Sequence, residues 1–459
     1  MYRFASKELD HWLESENRKP MVLRGARQVG KTWLVRDLAE RRHLDLIELN
    51  FERFPNLSDL FTENDPEEIL RNIEAELGIT INPKSSLLFF DEIQAAAKIF
   101  SKLRWFKEDM PNLPVIAAGS LLEFSLNKQQ YSMPVGRISY FYLEPMSFFE
   151  FISATGNEAL YHKLLDFRIK KGIPESLHEK CLALYHDFCL IGGMPEVVQE
   201  WVNTKDMKSC IKLQQDLLTT YRDDFHKYGG DIEALLLARI MLAISEQLGS
   251  KFVYSRVDPS RNMGQIKNAL TLLSMAKVCS KVLHTSGNGI PLGAQSNEKF
   301  FKSLMLDIGL VSVQLGLSSS RPSELKKIFF SNKGGLTEQF VGQQLRSIQT
   351  PLADPQLFYW QRTGGRMGEI DYIIQHENKV VPVEVKAGKA GSMKSLHHFM
   401  AEKNLAFAVR CNISQASVEN ISVKTTSGAP VSYSLLSIPI YLTERINDLI
   451  NLVQENSDQ

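Results

Sequence analysis

Gly25-Ala26-Arg27-Gln28-Val29-Gly30-Lys31-Thr32 fits the pattern G-x-x-x-x-G-K-[ST] at every fixed position. Such a loop wraps phosphates with backbone N–H groups, places a lysine on the terminal phosphates and offers a hydroxyl to magnesium. The flanks suit that chemistry. Pro20 to Leu23 is a short apolar run, as a buried strand needs, and Trp33 to Ala39 continues in a helical pattern. A strand then feeds a glycine-bearing loop, and the loop feeds a helix N-terminus. There the first N–H groups lack helical partners and the macrodipole is positive. Gly25 through Thr32, with the first helical residue Trp33, are therefore the expected ATP-binding residues.

A second reactive pair is Asp91-Glu92, which ends the apolar run Ser86 to Phe90. An acid in that position can hold magnesium against the β- and γ-phosphates, and the next carboxylate can polarise the attacking water. Two exposed acids capping a helix near Ile93 are the plainer alternative. Ser120, after the buried run Leu113 to Gly119, is placed to sense the γ-phosphate or simply to form a turn. Arg137 is either a surface arginine or one that offsets charge on the transferring phosphoryl group, within its own chain or in a neighbouring copy. The neighbouring-copy case requires a homo-oligomer.

The elements that must position these residues alternate. Strands at 44–50, 86–92 and 113–120 are separated by helical stretches at 66–77 and 97–107. Alternation of this kind implies right-handed βαβ units and a parallel sheet, with ligands beyond the carboxyl ends of the strands.

With these motifs, and with Ala118-Gly119-Ser120, Val135-Gly136-Arg137 and Leu143 to Phe151, the chain resembles the AAA-type ATPases of a large prokaryotic family. Members carry a C-terminal domain of uncharacterised function, and the resemblance spans essentially the whole sequence. It implies a P-loop ATPase with an additional strand between the phosphate loop and the magnesium acid. By matching position it implies Lys31 and Thr32 as nucleotide and magnesium contacts, Asp91 as the magnesium acid and Glu92 as the base. ATP and Mg2+ are the expected cofactors.

Length and composition set the frame. At 459 residues, 44% hydrophobic and 23% charged, the chain should fold as two to four globular domains. Lys+Arg and Asp+Glu both total 53, so contact with DNA or other nucleic acid must come from local patches. The five cysteines form no C-x-x-C pair, which argues against a zinc site or a disulfide framework. No signal peptide or membrane-length apolar run is evident, so a cytoplasmic protein without membrane contact is expected.

The expected fold is α/β with four parts. Residues 1–155 form the P-loop core, and 156–228 a helical lid interrupted by the turn Ile191-Gly192-Gly193-Met194-Pro195. Residues 229–317 read as a winged-helix domain. In it, three helices precede a β-wing at 276–283, and Arg256, Arg261 and Lys267 are set to meet phosphates or to serve plain interdomain packing. Ser318 to Ser323 reads as a linker, and 318–459 as an α/β nuclease-like domain.

That last domain contains a hairpin whose geometry follows from its turn. A turn at Glu377-Asn378 pairs His376 with Lys379, so Asp371 should face Glu384 and Glu369 should face Lys386. Opposed β-carbons lie about 4.5–5.5 Å apart, and two facing carboxylates need a neutralising partner such as a divalent cation. Asp371 followed by Glu384-x-Lys386 resembles the restriction-endonuclease-like nucleases. In that fold the acids hold magnesium and the lysine activates water; Glu338, on the first helix, falls where a further acid often sits. An exposed ion-paired hairpin and an inactive, binding-only version of the fold are the alternatives.

Overall fold

The computed structural model describes residues 2–119, 134, 136–228, 234–317, 334–362, 368–388 and 392–455. It divides into two compact units: Met1–Pro145 with Met275–Val278 and Gln349–Pro355, and Met146–Ser274 with Cys279–Ile348 and Gln356–Gln459.

The first unit is built on a five-stranded parallel sheet. Its strands are β1 (Met21–Arg24), β2 (Asp45–Asn50), β3 (Ser86–Asp91), β4 (Val115–Ala118) and β5 (Ser139–Tyr142), in the order β2-β3-β4-β1-β5. All the paired neighbours run parallel, and β3 and β4 are buried along their whole length, which explains their continuous apolar runs. β4 lies between the phosphate-loop strand β1 and the acid-bearing β3, the additional strand that the resemblance implies. Helix α1 (Ala5–Glu14) precedes β1, α2 (Lys31–Arg41) lies between β1 and β2 in the chain, and α3 (Pro66–Leu77) between β2 and β3. Pro66 opens α3 behind an Asp65 cap, and Gly78 closes it in the left-handed conformation.

The second unit holds an eight-stranded mixed sheet. Its strands are β6 (Cys279–Thr285), β7 (Ser296–Met305), β8 (Leu357–Gln361), β9 (Glu369–His376), β10 (Lys379–Val385), β11 (Phe407–Asn412), β12 (Ser417–Lys424) and β13 (Pro430–Pro439). Their order is β12-β13-β11-β10-β9-β8-β6-β7. The β9–β10 hairpin has the expected register, with His376 opposite Lys379.

Two expected boundaries are corrected. The strands read as a wing at 276–283 and its partner form β6 and β7, and β6 pairs in parallel with β8. They therefore belong to the same sheet as the hairpin, not to a separate winged-helix domain ending at 317. The helices at Ala234–Glu246 and Met263–Met275 do form as read. Of the basic residues assigned to them, Arg261 lies 3.9 Å from Asp258, which Arg239 also contacts, while Arg256 and Lys267 are exposed. The second correction concerns the first unit, which ends at Pro145 instead of 155. The helix Phe148–Ala154 joins the second unit because its N–H groups find acceptors there: Phe148 donates to Gln344 and Phe149 to Glu444. The linker expected at 318–323 lies outside the described residues.

The helix Gly335–Ser347 explains how this sheet keeps its edge. It is buried around its whole circumference despite its polar sequence. Gln339 accepts from Met305 N–H at 3.0 Å and donates to Met305 C=O at 2.9 Å, while Gln343 bridges Ile308 N–H and Asp307. These amides satisfy backbone groups at the end of the edge strand β7 that would otherwise be buried without partners. The Gly-Gly turn is fixed by the same cluster. A β-carbon at Gly193 would sit 2.0 Å from the Met146 carbonyl oxygen, and Gly193 N–H donates to Asp307. None of the described helices is long and apolar enough to cross a membrane.

Gln339→Met keeps the volume and strands both Met305 groups. We expect a destabilisation of about 1–3 kcal/mol, read as a lower thermal midpoint by circular dichroism. An unchanged midpoint would show that the β7 edge does not need the amide.

Candidate nucleotide site and acid cluster

The phosphate loop leaves β1 at its carboxyl end. Gly25 needs to be glycine for a local reason: a β-carbon there would lie 2.5 Å from the Leu143 carbonyl oxygen. Gly30 caps α2 with φ 96°, a left-handed conformation that suits glycine. From beneath, the buried Arg3 guanidinium donates to Val29 C=O at 2.9 Å and Glu144 C=O at 2.7 Å, bracing the loop. Arg27 lies 3.8 Å from Glu52, and Trp33 is 42% exposed on the first turn of α2.

Lys31 is buried and folds back on its own loop, donating to Gly25 C=O at 3.1 Å and Ala26 C=O at 2.8 Å. Burial pulls its ammonium down to about 8, against the attraction of Glu92 and Asp91. Thr32 Oγ1 lies 3.3 Å from both Asp91 carboxylate oxygens. Asp91 also accepts from Asn50 Nδ2 at 3.0 Å and from Glu92 N–H at 3.2 Å. Burial pushes its carboxyl up to about 6, and the nearby Glu92 and Glu48 add to the shift. Thr32 and Asp91 are hard oxygen donors held side by side, a donor pair that fits magnesium.

Glu92 adopts a left-handed conformation at φ 51°, and its Oε2 accepts from Gln94 Nε2 at 2.5 Å. Gln94 in turn requires Gly119, where a β-carbon would lie 2.3 Å from Gln94 Oε1. The structure thus brings together Gly25 to Thr32, Asp91 and Glu92. It places Arg137 elsewhere: the side chain is 46% exposed and its Nε donates to Glu108 at 2.7 Å. Ser120 lies outside the described residues.

Asn50, Gln94 and Arg3 were not singled out from sequence. Asn50 had a readable signal, a polar residue at the end of the strand beside Asp91, with which it is in register.

In the second unit, the hairpin acids converge with a partner that the sequence did not suggest. One oxygen each of Glu338, Glu369 and Asp371 lies within 4.8 Å of the others. Lys302, on β7 and 3% exposed, reaches all three. Its Nζ is 2.9 Å from Glu338 Oε2 and 3.8 Å from Asp371 Oδ1, and it contacts Glu369 Oε1. Burial alone would lower the Lys302 pKa, but Glu338, Asp371 and Glu369 hold it well above the usual lysine value. The expected facing of Glu369 and Lys386 is replaced. Glu369 pairs with Lys302, and Lys386 Nζ sits 2.5 Å from Glu384 Oε1. Asp371 Oδ2 accepts Val385 N–H at 2.7 Å, just beyond the last paired rung, Val383 with Tyr372. Burial raises the Glu384 and Glu338 carboxyls, and the nearby Asp371 raises both further.

This donor set does not fit magnesium well at Glu338, Glu369 and Asp371, because a buried ammonium already takes their charge. Glu384 Oε2 is different: it is buried and accepts no hydrogen bond among the described residues.

Comparison with known proteins agrees with the first unit. Residues 17–152 match the AAA domain family. Together with the parallel sheet and its strand order, this makes the first unit an AAA-type P-loop ATPase fold. Residues 182–321 match Domain of unknown function (DUF8612), and 333–432 match Domain of unknown function (DUF4143). None of the curated proteins matches the chain. Among solved structures, the Thermotoga maritima RuvB Holliday junction branch migration motor is 15% identical, covering 61% of this chain and 88% of that one, at a TM-score of 0.29. The Aeropyrum pernix ORC1 protein in complex with DNA is 12% identical over 70% and 92%, at 0.23. C. elegans PCH-2 is 12% identical over 43% and 58%, at 0.26. At these scores the neighbours add nothing to the reading of either site.

The Asp91 environment predicts a pH effect with a definite sign. A carboxyl whose folded pKa is raised from 3.8 to about 6 holds its proton more tightly when folded. The stability it confers is complete below pH 3.8 and lost as pH rises through about 6. Asp91→Asn should therefore make the nucleotide-free protein more stable than the parent at pH 8, by about 2 kcal/mol. The gain should shrink below pH 6 and vanish near pH 4. A thermal-melting series that shows no such crossover would refute the assigned environment.

Proposed function

We propose that the first unit hydrolyses ATP and that the cycle controls a nuclease-like module in the second unit, which engages nucleic acid. The observation that carries the first half is the Thr32 hydroxyl against Asp91, beside Lys31 at the carboxyl ends of the strands. In this reading, Gly25 to Gly30 wrap the phosphates with N–H groups, and Lys31 leaves its own carbonyls for the terminal phosphates. Thr32 and Asp91 would hold magnesium, which when bound neutralises charge on the β- and γ-phosphates. Glu92, oriented by Gln94, accepts the proton of the attacking water. Arg137, exposed at the surface, is offered to the phosphoryl group of a neighbouring copy. Ser120 senses the γ-phosphate.

For the second unit we favour binding without cutting. The carboxylates that a nuclease would devote to metal already share Lys302. Arg256 and Lys267, both exposed, are the proposed phosphate contacts. A second reading, magnesium-dependent cleavage through Asp371, Glu384 and Lys386, is favoured by the unpartnered Glu384 Oε2.

Glu92→Gln should lower ATP turnover by about a hundredfold or more while ATP still binds, whereas Lys31→Ala should lose binding. Equal turnover in the parent and Glu92→Gln would sink the assigned base. Turnover per chain should also rise with protein concentration and drop in Arg137→Ala; a concentration-independent rate would remove the neighbouring-copy role. Plasmid and single-stranded DNA and RNA with magnesium should be bound in a salt-sensitive manner and left intact. Cutting abolished by Asp371→Ala and Lys386→Ala would establish the second reading instead.

A further inference from the structure

The second unit gathers four carboxylates in one neighbourhood: Glu338 on the helix Gly335–Ser347, Asp371 on β9 and Glu384 on β10 are buried, and Glu369 on β9 is half-buried. Buried carboxylates this close repel strongly unless a cation lies among them. Nuclease-like sites recruit a divalent ion for that purpose. Here the chain supplies an ammonium of its own. Lys302 comes from β7, at the far edge of the sheet order from β10, and its side chain is almost wholly enclosed.

We propose that Lys302 is the resident cation of this cluster, standing where a divalent ion would be held by Glu338, Glu369 and Asp371. The inference rests on reading the second unit as a module that binds without cutting.

Three features support it. The ammonium contacts one oxygen of each acid in the triad, so a metal bound there would have to share all three carboxylates with a positive charge already in place. Asp371 is committed on its other oxygen as well, to Val385 N–H. A divalent ion entering beside Lys302 would bring a second positive group against one already enclosed there, the Lys302 side chain being 4% exposed. The unpartnered Glu384 Oε2 remains the nearest alternative seat, and the experiment addresses it directly.

Replacing the ammonium by an uncharged side chain of similar length should turn the cluster into a metal site, because hard oxygen ligands at this spacing suit Mn2+. The test follows free Mn2+ by electron paramagnetic resonance as it is titrated with the full chain without nucleotide. Parent, Asp371→Asn, Lys302→Met and Lys302→Met/Asp371→Asn are compared. The parent and Asp371→Asn should take up the same amount of Mn2+. Lys302→Met should take up one further ion per chain, and the double variant should lose it.

Parent uptake that falls in Asp371→Asn would overturn the proposal and seat a metal beside Glu384. A folded Lys302→Met that gains no ion would overturn it too. If Lys302→Met does not fold, the parent and Asp371→Asn decide between themselves, with equal uptake supporting the proposal. Nucleic-acid binding by the parent is measured separately. Its absence would remove the binding reading while the Mn2+ result still stands on Lys302.

Discussion

A charge taken out of water must meet its opposite where it lies, and the second unit is organised around one such meeting. Lys302 lies among Glu338, Glu369 and Asp371. These four residues arrive on three pieces of chain: Lys302 on the edge strand β7, Glu369 and Asp371 on the hairpin strand β9, and Glu338 on the buried helix Gly335–Ser347. Without the ammonium these carboxylates could not remain ionised together at this depth. With it, the helix can lie against the sheet, Tyr372 can donate to the Glu338 carbonyl at 2.7 Å, and Gly342 can pass the Tyr372 hydroxyl where a β-carbon would come within 2.5 Å. The ion pairing thus acts together with the buried face of Leu336, Phe340 and Val341 in packing the helix on the sheet.

The first unit meets the same constraint in the opposite way. Its two central charges are left poorly compensated. Lys31 is drawn down to about 8 by burial and bonds the Gly25 and Ala26 carbonyls, while Asp91 is pushed up to about 6. Both shifts disfavour the charged forms. Phosphate beside Lys31 and a cation beside Asp91 would reverse both, so binding energy can be drawn from relieving the protein as well as from new contacts. The left-handed Glu92 fits this picture of a site held away from its most comfortable state. One unit has closed its electrostatic balance internally, and the other has left it for a ligand.

Legibility in the sequence followed the range of the interactions. The phosphate loop is contiguous, so Gly25 to Thr32 could be read directly, and β3 with Asp91 was visible as an apolar run ending in acid. The β9–β10 register followed from the turn as far as Val383 opposite Tyr372, because a two-residue turn sets the rungs nearest it. What the turn could not say is which long-range partner would reach the hairpin. Lys302 sits on β7, beyond the stretch 276–283 that reads as a wing, and the pairing of β7 with β6 and of β6 with β8 leaves no local trace. Gln339, Gln343 and Gln344 show the same limit: each amide satisfies a buried backbone group, which a polar residue in a helix does not announce. Arg137 reads as a candidate from its place after Val135-Gly136, and its ion pair with Glu108 on the helix Leu103–Asp109 is a contact with no sequence signal.

These long-range pairings also decide what counts as a module. The matched families leave a gap between 321 and 333, and the serine-rich stretch at 318–323 reads as a linker. The sheet crosses that gap. A piece beginning at 318 would keep Glu338, Glu369, Asp371 and Glu384 but lose β6, β7 and Lys302, and with them the cation that lets the acids lie together. Its acid cluster would then be a different chemical object, open to protons or metal. The chemistry of the C-terminal hairpin is thus a property of the whole sheet, and the boundary that matters for it lies before β6.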